Sequence, residues 1–403
     1  MLKQAEELKG FLTEVCELMN PVVARMIDRH LPPRRQTTVF FGAGKAGLQL
    51  LKICRDHGRE VNFFCDNDVS LQGSKIEGLT VLKPEELAGI NDLNLIITTA
   101  YASTSAEIQA QLISAGLPAD RIHDPHQETG DIGYSFQALL EASLYAGDYS
   151  KNFPKIQKAF SFLGDDRSRL VYLNTLRSRC LPSPALAGLV TSGLVDAAQY
   201  WVLPEFQNIR EAVYLDCGAY IGDTIASFLY YNDRASVRKI YAFEPVLSIY
   251  ETLLRNADIL AQAAQIDRSK IDCRNCLVGE ATTGRAFLPR SVSGRMLSKL
   301  ETEAVEAGFT GEDRLEVISI DDLLAGEPVS IIKADVEGYE IQMLKGAASS
   351  IKTHRPKLAI SLYHRASDYY EIPLYLKTLV PEYKMAVRHH SLTAFETILY
   401  CWI

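Results

Sequence analysis

The stretch at residues 212–224 combines an acid, two glycines and a helix start in an order that suits a bound anion. Asp216 ends a short apolar run of strand-forming residues, and Gly218 and Gly222 follow it. Because glycine has no Cβ, the loop can bend sharply, while the next helix directs free N–H groups and its positive dipole end at a ligand. The pattern predicts a strand, a tight turn and a helix that together bind an anionic group.

A second acid follows at a spacing that nucleotide folds use for ribose. Glu244 ends the predicted strand KIYAFEP, twenty-two residues after Gly222, and Pro245 stops that strand. One carboxylate at this position can accept hydrogen bonds from two ribose hydroxyls. The two acids and the glycine loop therefore predict a nucleoside-containing ligand.

Three motifs in this order resemble those of the FkbM family of S-adenosylmethionine (SAM) dependent methyltransferases. They are D-x-G-A-x-x-G, F-E-P and, at residues 332–340, I-K-A-D-V-E-G-Y-E, and the resemblance extends from about Phe206 to the C-terminus. It implies a class I SAM-methyltransferase-type doubly wound α/β sheet and SAM as cofactor. Tyr220 stands where the family usually has Asn, which affects a side-chain contact to the methionine moiety. The implied cofactor contacts are Asp216, Gly218, Ala219, Tyr220, Gly222, Asp223, Thr224, Glu244, Pro245 and Asp335.

Strand ends supply the candidates for proton removal. Asp335 ends one predicted strand, His364 ends the next, and the group Arg388-His389-His390 ends the one after. Because the carboxyl ends of parallel strands meet at one edge, these groups should converge with Asp216 on one crevice. We predict His364 as the catalytic base, since histidine titrates nearest neutrality, and Asp335 as its partner or as the anchor of the acceptor.

Other roles for these residues stay open. Asp335 could cap its helix, Glu337 could favour the helix dipole, and His364 could be a core histidine with satisfied hydrogen bonds. A divalent ion on Asp335, Glu337 and His364 is a further alternative, but their spacing matches no self-contained metal loop, so we predict no metal. Lys333 and Lys345 are predicted to be surface charges.

A second glycine pattern lies near the N-terminus. The run GAGKAG, with Gly42, Gly44 and Gly47, follows a predicted strand, and Asp66 lies nineteen residues after Gly47. These four residues could bind a nucleotide or nucleotide-sugar, or the glycines could only let a strand and a helix pack closely. A NAD(P)-dependent oxidoreductase or epimerase could begin in this way, although nothing after about Asp124 resembles a separate substrate domain.

The alternation of patterns predicts four segments. They are N-terminal helices at 1–35, a smaller Rossmann-like accessory domain at 36–125, a helical connector at 126–205 and the methyltransferase domain at 206–403. Asn20-Pro21 should split the N-terminal helical run, which packs on the next domain or on a second copy of the chain. The methyltransferase domain should contain parallel strands and a final antiparallel one. In an insert between Gly279 and Ser319, Arg290, Ser291 and Ser293 could cover the ligand or form a surface turn.

Composition limits the partners and the compartment. The chain has 403 residues, of which 47% are hydrophobic and 23% charged, and its net charge of -8 argues against a nucleic-acid or anionic-membrane surface. The polar first residues and the lack of a long apolar run predict a cytoplasmic protein without a membrane span. The eight scattered cysteines fit reduced thiols. Cys273 and Cys276 should lie in one strand and face opposite sides, so they cannot share a zinc ion.

The predicted function is methyl transfer from SAM to a sugar hydroxyl of a glycan or nucleotide-sugar. The methyl transfer is implied by the family resemblance, and the sugar by the company of a nucleotide-fold domain. The small-molecule or glycan substrate would be the main partner, with a homo-oligomer possible. The alternatives are the NAD(P)-dependent oxidoreductase or epimerase and a non-catalytic scaffold of a glycan pathway.

Overall fold

The computed structural model describes residues 6–17, 24, 27, 36–99, 102–124, 136–180, 192–287 and 314–403. The chain divides into two compact units, one made of Leu2–Lys151 with Arg179–Pro182 and one of Asn152–Ser178 with Ser183–Ile403. The four-segment partition stays a prediction. The helix break at Asn20-Pro21 and the polar residues Arg290, Ser291 and Ser293 lie outside the described residues.

The first unit contains a sheet whose strand order is β3-β4-β2-β1-β5-β6. All its neighbouring strands are parallel except β3, which runs antiparallel to β4. The central strands β1 and β5 are almost wholly buried, as expected of strands covered on both faces. The elements are α1 (residues 6–17), β1 (Thr37–Phe41), α2 (Lys45–Asp56), β2 (Phe63–Cys65), β3 (Lys75–Ile76), β4 (Leu79–Leu82), β5 (Leu93–Ile97), α3 (Ala102–Ser114), β6 (Ile122–His123) and α4 (Phe136–Lys151).

The second unit alternates strands and helices, as its sequence pattern predicts. Its elements are α5 (Phe153–Ser161), α6 (Asp166–Cys180), β7 (Val213–Cys217), α7 (Asp223–Tyr231), β8 (Lys239–Phe243), α8 (Leu247–Ala264), β9 (Ile271–Arg274), β10 (Cys276–Val278), β11 (Thr283–Phe287), β12 (Arg314–Ile318), α9 (Ile320–Leu324), β13 (Ile331–Ala334), α10 (Glu340–Gly346), α11 (Ala348–His354), β14 (Lys357–Ser361), α12 (Asp368–Leu379), β15 (Lys384–His389) and β16 (Thr397–Trp402).

The main sheet of this unit has seven strands in the order β15-β16-β14-β13-β7-β8-β9. Strands β9, β8, β7, β13 and β14 are parallel, and β16 runs antiparallel to both β14 and β15. The predicted doubly wound α/β sheet with a final antiparallel strand is confirmed. The chain runs outward from β7 to β8 and β9 and returns to β13 on the other side of β7. The strand order therefore reverses between β7 and β13, where such sheets bind their ligands.

The run IDCRNCLVG does not form the single strand that its apolar residues predict. It divides at Asn275 into β9, in the main sheet, and β10, in a separate sheet of order β10-β12-β11. The Asn275 amide donates to the carbonyl oxygens of Glu244 and Pro245, both at 2.9 Å, which stabilises the bend. Cys273 and Cys276 therefore lie in different strands, and the prediction of one strand is wrong.

Within the described part of the chain, no helix combines the length and the apolar character needed to cross a bilayer.

Candidate active site

Asp216 and Lys333 form a buried ion pair at the reversal of strand order. Asp216 in β7 is the register partner of Lys333 in β13, and the Lys333 Nζ lies 3.1 Å from Asp216 Oδ1. The other carboxylate oxygen accepts a hydrogen bond from the Thr224 hydroxyl at 2.5 Å. The prediction that Lys333 is a surface charge is wrong, because its side chain is only 2% exposed.

The charge of Lys333 is maintained by its carboxylate neighbours. Burial alone would lower the pKa of Lys333, but the nearby Asp216 and Asp335 carboxylates outweigh burial and raise it. Both oxygens of Asp216 face protein groups, so Asp216 and Thr224 hold β7, β13 and the start of α7 together. Their contact with the cofactor stays a prediction.

The loop after β7 folds back against the end of β13. Gly218 has φ +80°, and a Cβ built on it would lie 1.9 Å from the Asp335 carbonyl oxygen. The N–H groups of Gly218 and Ala219 donate to the Phe243 carbonyl at 3.1 and 2.9 Å, which ties the loop to the end of β8. Only glycine at position 218 permits this approach, and it brings the ends of three neighbouring strands together.

Of the remaining loop residues, Tyr220 and Asp223 are exposed near the start of α7, whereas Gly222 is buried. Gly222 precedes that helix with φ +92°, and Asp223 is its exposed first residue, where a carboxylate favours the helix dipole. Tyr220 has φ +45° and is 55% exposed. The aromatic ring of Tyr220 therefore flanks the loop from the solvent side.

Glu244 directly follows β8 and is almost buried. Its Oε1 accepts a hydrogen bond from the Val246 N–H at 2.8 Å, and the Tyr220 N–H also donates to its carboxylate. Burial outweighs these hydrogen bonds and raises the pKa of Glu244 to about 7. After Pro245 and Val246, Leu247 exposes 60% of its surface. The exposed side chains of Tyr220 and Leu247 therefore belong to the two segments that adjoin this carboxylate.

Asp335 accepts hydrogen bonds from two tyrosine hydroxyls. The Tyr200 hydroxyl donates to its Oδ2 at 3.0 Å and the Tyr363 hydroxyl to its Oδ1 at 2.8 Å. Burial alone would raise the pKa of Asp335, but the charges of His364 and Lys333, with the hydrogen bond from Tyr363, bring it below its usual range. Asp335 is therefore a weakly basic carboxylate.

His364 lies among three carboxylates. Its Nδ1 is 2.8 Å from Oε1 of the fully buried Glu340, and its Nε2 is 3.4 Å from Asp335 Oδ1 and 3.7 Å from Glu337 Oε2. The structure therefore brings together the predicted pair of His364 and Asp335. Burial opposes a charge on the ring, but Glu340, followed by Asp335 and Glu337, raises the pKa of His364 to about 9. These surroundings favour the doubly protonated ring, and the role of His364 as the base stays a prediction.

One group of residues in the described segments is close enough to share a metal ion. One ligand atom each from Asp335, Glu340 and His364 lies within 4.8 Å of the others. Glu340 Oε1, the atom that contacts His364, also accepts from the Val336 N–H at 3.0 Å. These contacts describe an ion-pair network centred on a protonated histidine.

Glu396 is an acid at this edge that the sequence analysis missed. It directly precedes β16, which is antiparallel to β14, so the start of β16 lies beside the end of β14. Its Oε1 lies 3.2 Å from the Tyr363 hydroxyl, and the Gln199 amide donates to its other oxygen. The predicted antiparallel last strand could have indicated this, because an acid before such a strand lies at the carboxyl edge of its parallel neighbours.

The group at the end of β15 does not join this cluster. The Arg388 guanidinium donates to Ser168 Oγ at 2.7 Å, and His389 Nδ1 lies 3.0 Å from Thr397 Oγ1. His390 contacts the Asp196 carbonyl at 2.8 Å. Three of the four expected strand ends therefore converge. Arg388, His389 and His390 instead stabilise the start of α6 and the edge of the sheet.

The glycine loop of the first unit is explained by its own packing. A Cβ on Gly47 would lie 2.1 Å from the Gly42 carbonyl oxygen, and one on Gly42, whose φ is +115°, would lie 2.9 Å from Thr98 Oγ1. Asp66 Oδ2 accepts a hydrogen bond from the Ala43 N–H at 2.8 Å, so this carboxylate holds the loop. Gly44 precedes the first residue of α2. Nucleotide binding by Gly42, Gly44, Gly47 and Asp66 stays a prediction.

Comparison with known proteins identifies the second unit. Residues 216–383 match the family model described as the methyltransferase FkbM domain. The resemblance inferred from the three motifs is therefore confirmed for this part of the chain. The match indicates methyl transfer. No curated protein matches the chain significantly.

One solved structure that aligns with the whole chain shares its fold. Methyltransferase FkbM from Methylobacillus flagellatus KT is 20% identical, with 99% of this chain and 100% of that chain covered and a TM-score of 0.56. An rRNA methylase from Streptococcus thermophilus is 11% identical over 49% of this chain and 88% of its own, with a TM-score of 0.30. A putative methyltransferase from Streptococcus mutans in complex with SAH is 9% identical over 49% and 93%, with a TM-score of 0.27.

Removal of the Lys333 charge should strongly destabilise the second unit. Lys333→Met leaves the Asp216 carboxylate buried without its cation, which should cost about 3–5 kcal/mol in the free energy of unfolding measured with urea at pH 7. The double variant Asp216→Asn with Lys333→Met should regain part of that loss. Lys345→Met is the control, because Lys345 pairs with Glu280 at the surface and should change stability by about 1 kcal/mol or less. Equal losses in the two lysine variants would contradict this account.

The stability contribution of His364 should depend on pH. Its folded-state pKa of about 9 lies above its ordinary value of 6.5, so the contribution is complete below pH 6.5 and is lost as the pH rises through 9. His364→Gln should therefore lower the free energy of unfolding by on the order of 3 kcal/mol more at pH 6 than at pH 10. His354→Gln, at the end of α11, is the matched control. A His364→Gln effect that stays constant between these pH values would contradict the ion-pair network.

Proposed function

We propose that the second unit is a SAM-dependent O-methyltransferase that methylates a sugar hydroxyl, in a glycan or in a nucleotide-sugar. The observation that carries the proposal is the position of Glu244, at the end of β8, beside the Gly218–Gly222 loop. That loop follows β7 at the reversal of strand order in the sheet that matches the FkbM methyltransferase domain. A half-ionised carboxylate at the end of β8 suits the two hydroxyls of a ribose.

Glu244 and the exposed side chains of the two segments beside it fit the adenosine part of SAM. Two hydroxyls can share the carboxylate of Glu244, and the exposed apolar surfaces of Tyr220 and Leu247 offer faces on which a base can pack. The loop and the start of α7 suit the methionine end, since helix N-termini favour a carboxylate. When bound, SAM supplies the electrophilic methyl group.

We expect the acceptor at the other half of the carboxyl edge of the sheet, and strand order supports this. The loop after β7 and Glu244 after β8 would bind the cofactor, while β13, β14 and β16 lie on the opposite side of β7. Their ends carry Asp335, Tyr363 and Glu396. An acceptor placed against these residues would have its hydroxyl on the methionine side of the cofactor, where the methyl group is transferred.

The chemistry of this half favours an acceptor whose reacting sugar is uncharged and has several hydroxyls. Carboxylates accept hydrogen bonds from hydroxyls, and Phe395, which is 41% exposed and packs edge-on against Tyr363, offers a ring face for the C–H groups of a sugar. The surrounding carboxylates would repel an anionic group near the reacting hydroxyl. Asp335 would anchor one acceptor hydroxyl, and His364 would hold Asp335 in place.

The other predicted roles rest on weaker observations. The eight cysteines are free thiols, which fits a reducing cytoplasm.

Asp66, the acid that a dinucleotide site would need, accepts hydrogen bonds from the Ala43 and Asp68 N–H groups of its own segment. This geometry does not favour an oxidoreductase.

SAM affinity should increase with pH through the ionisation of Glu244. With a pKa of about 7, only about a tenth of the carboxylates are ionised at pH 6, so calorimetry should give about tenfold weaker SAM binding at pH 6 than at pH 8. Glu244→Gln should remove this dependence and weaken binding at pH 8 at least tenfold, because hydrogen bonds to a charged acceptor are lost. Glu251→Gln, an exposed acid on α8, is the control. Unchanged affinity in a folded Glu244→Gln variant would reject the ribose assignment.

The purified protein should retain SAM or S-adenosylhomocysteine, detectable by mass spectrometry, and should transfer labelled methyl groups to neutral methyl glycosides or UDP-sugars in preference to uronic acids. A retained nicotinamide cofactor would favour the oxidoreductase alternative. Methyl transfer to hydroxyl compounds other than sugars, with none to the sugars, would leave methyl transfer standing and reject the sugar acceptor.

A further inference from the structure

Glu396 occupies the acceptor half of the edge in a constrained conformation. Its φ of +64° lies in the left-handed region, which residues other than glycine and asparagine rarely adopt. The His390 N–H donates to its carbonyl at 2.9 Å, which closes the turn between β15 and β16. The turn therefore holds the half-buried carboxylate of Glu396 against Tyr363 and Gln199.

Tyr363 links Glu396 to Asp335 through a single hydroxyl group. That hydroxyl lies 2.8 Å from Asp335 Oδ1 and 3.2 Å from Glu396 Oε1, but it has one proton to donate. When the proton points to Asp335, the nearer oxygen, the hydroxyl oxygen can accept a hydrogen bond from Glu396 only if Glu396 is protonated. Protonated Glu396 can therefore donate a hydrogen bond to the Tyr363 hydroxyl.

The surroundings of Glu396 favour it as a base over His364 and Asp335. Burial raises the pKa of Glu396, and the Asp335 carboxylate raises it further, against the opposing hydrogen bonds of Gln199 and Tyr363 and the charge of His364. His364 already carries its proton at neutral pH, and the pKa of Asp335 is lowered. A base works best when its pKa approaches the working pH, which favours Glu396 over both.

We propose that Glu396 takes the proton of the acceptor hydroxyl during methyl transfer. This rests on the proposed function. The acceptor oxygen forms a bond to the methyl carbon, the carbon–sulfur bond of SAM breaks with its electron pair going to sulfur, and the hydroxyl proton moves to the Glu396 carboxylate. Protonated Glu396 then donates to Tyr363, whose hydroxyl donates to Asp335. Solvent removes the proton after the product has left.

The test compares Glu396→Gln with the wild-type protein on a methyl glycoside that the wild type methylates. Because a general base contributes roughly 10²- to 10⁴-fold, kcat at saturating SAM should fall at least a hundredfold, while the SAM affinity from calorimetry should stay within about twofold. The wild-type kcat should decrease towards acidic pH as Glu396 becomes protonated, and this decrease should be absent in Glu396→Gln. Saturating SAM keeps the titration of Glu244 out of the comparison.

Chemical rescue separates proton removal from positioning. In Glu396→Ala, added formate should enter the space of the lost carboxylate and raise kcat at least tenfold, and Glu396→Asp should keep more activity than Glu396→Gln. Glu382→Gln is the matched control, since Glu382 is an exposed acid that pairs with Arg355. Turnover by Glu396→Gln within threefold of wild type, with an unchanged pH profile and no effect of formate on Glu396→Ala, would overturn the proposal. Methyl transfer itself would still stand, because the wild type and the Glu382→Gln control report it independently.

Discussion

The buried ion pair between Asp216 and Lys333 is the constraint on which the site depends. It joins β7 to β13 at the reversal of strand order, while Thr224 and the Gly218 carbonyl complete the contacts of the two charges. A buried pair of this kind rarely adds stability over a well-packed apolar pair, so its value lies in geometry. An apolar pair could maintain the sheet, but it would not hold the loop after β7 and the Asp335 strand end at one fixed separation.

The same lysine also sets the charge balance of the acceptor half. Lys333 and protonated His364 are the two cations that lower the pKa of Asp335. For Glu396, the charge of His364 is the smallest of the effects that oppose its raised pKa. Two carboxylates bridged by one tyrosine hydroxyl therefore differ in basicity. Asp335 stays ionised as a fixed acceptor of hydrogen bonds, and Glu396 can gain and lose a proton, a division of roles between paired acids that their surroundings determine.

Local patterns were sufficient to predict the main sheet and the converging strand ends. Apolar runs that end on an acid or a histidine identify β7, β8, β13 and β14, and their carboxyl ends must share one edge. Burial of a charge is not visible in such a pattern. Lys333 looked like a surface residue because its partner Asp216 is more than a hundred residues away. The bend at Asn275 was missed for a similar reason, since its partners, the carbonyls of Glu244 and Pro245, lie about thirty residues earlier in the chain.

Protonation states were the least predictable feature, because they depend on groups that meet only in the folded chain. Histidine is the usual choice of base when only residue types are known. His364, however, contacts Glu340, a fully buried acid on α10, in addition to Asp335 and Glu337. Each of these carboxylates stabilises the imidazolium form, so the environment that brings the histidine to the site also prevents it from accepting a proton there. This is why we propose proton removal by Glu396, an acid held at this edge by Tyr363 and Gln199, whose pKa burial raises.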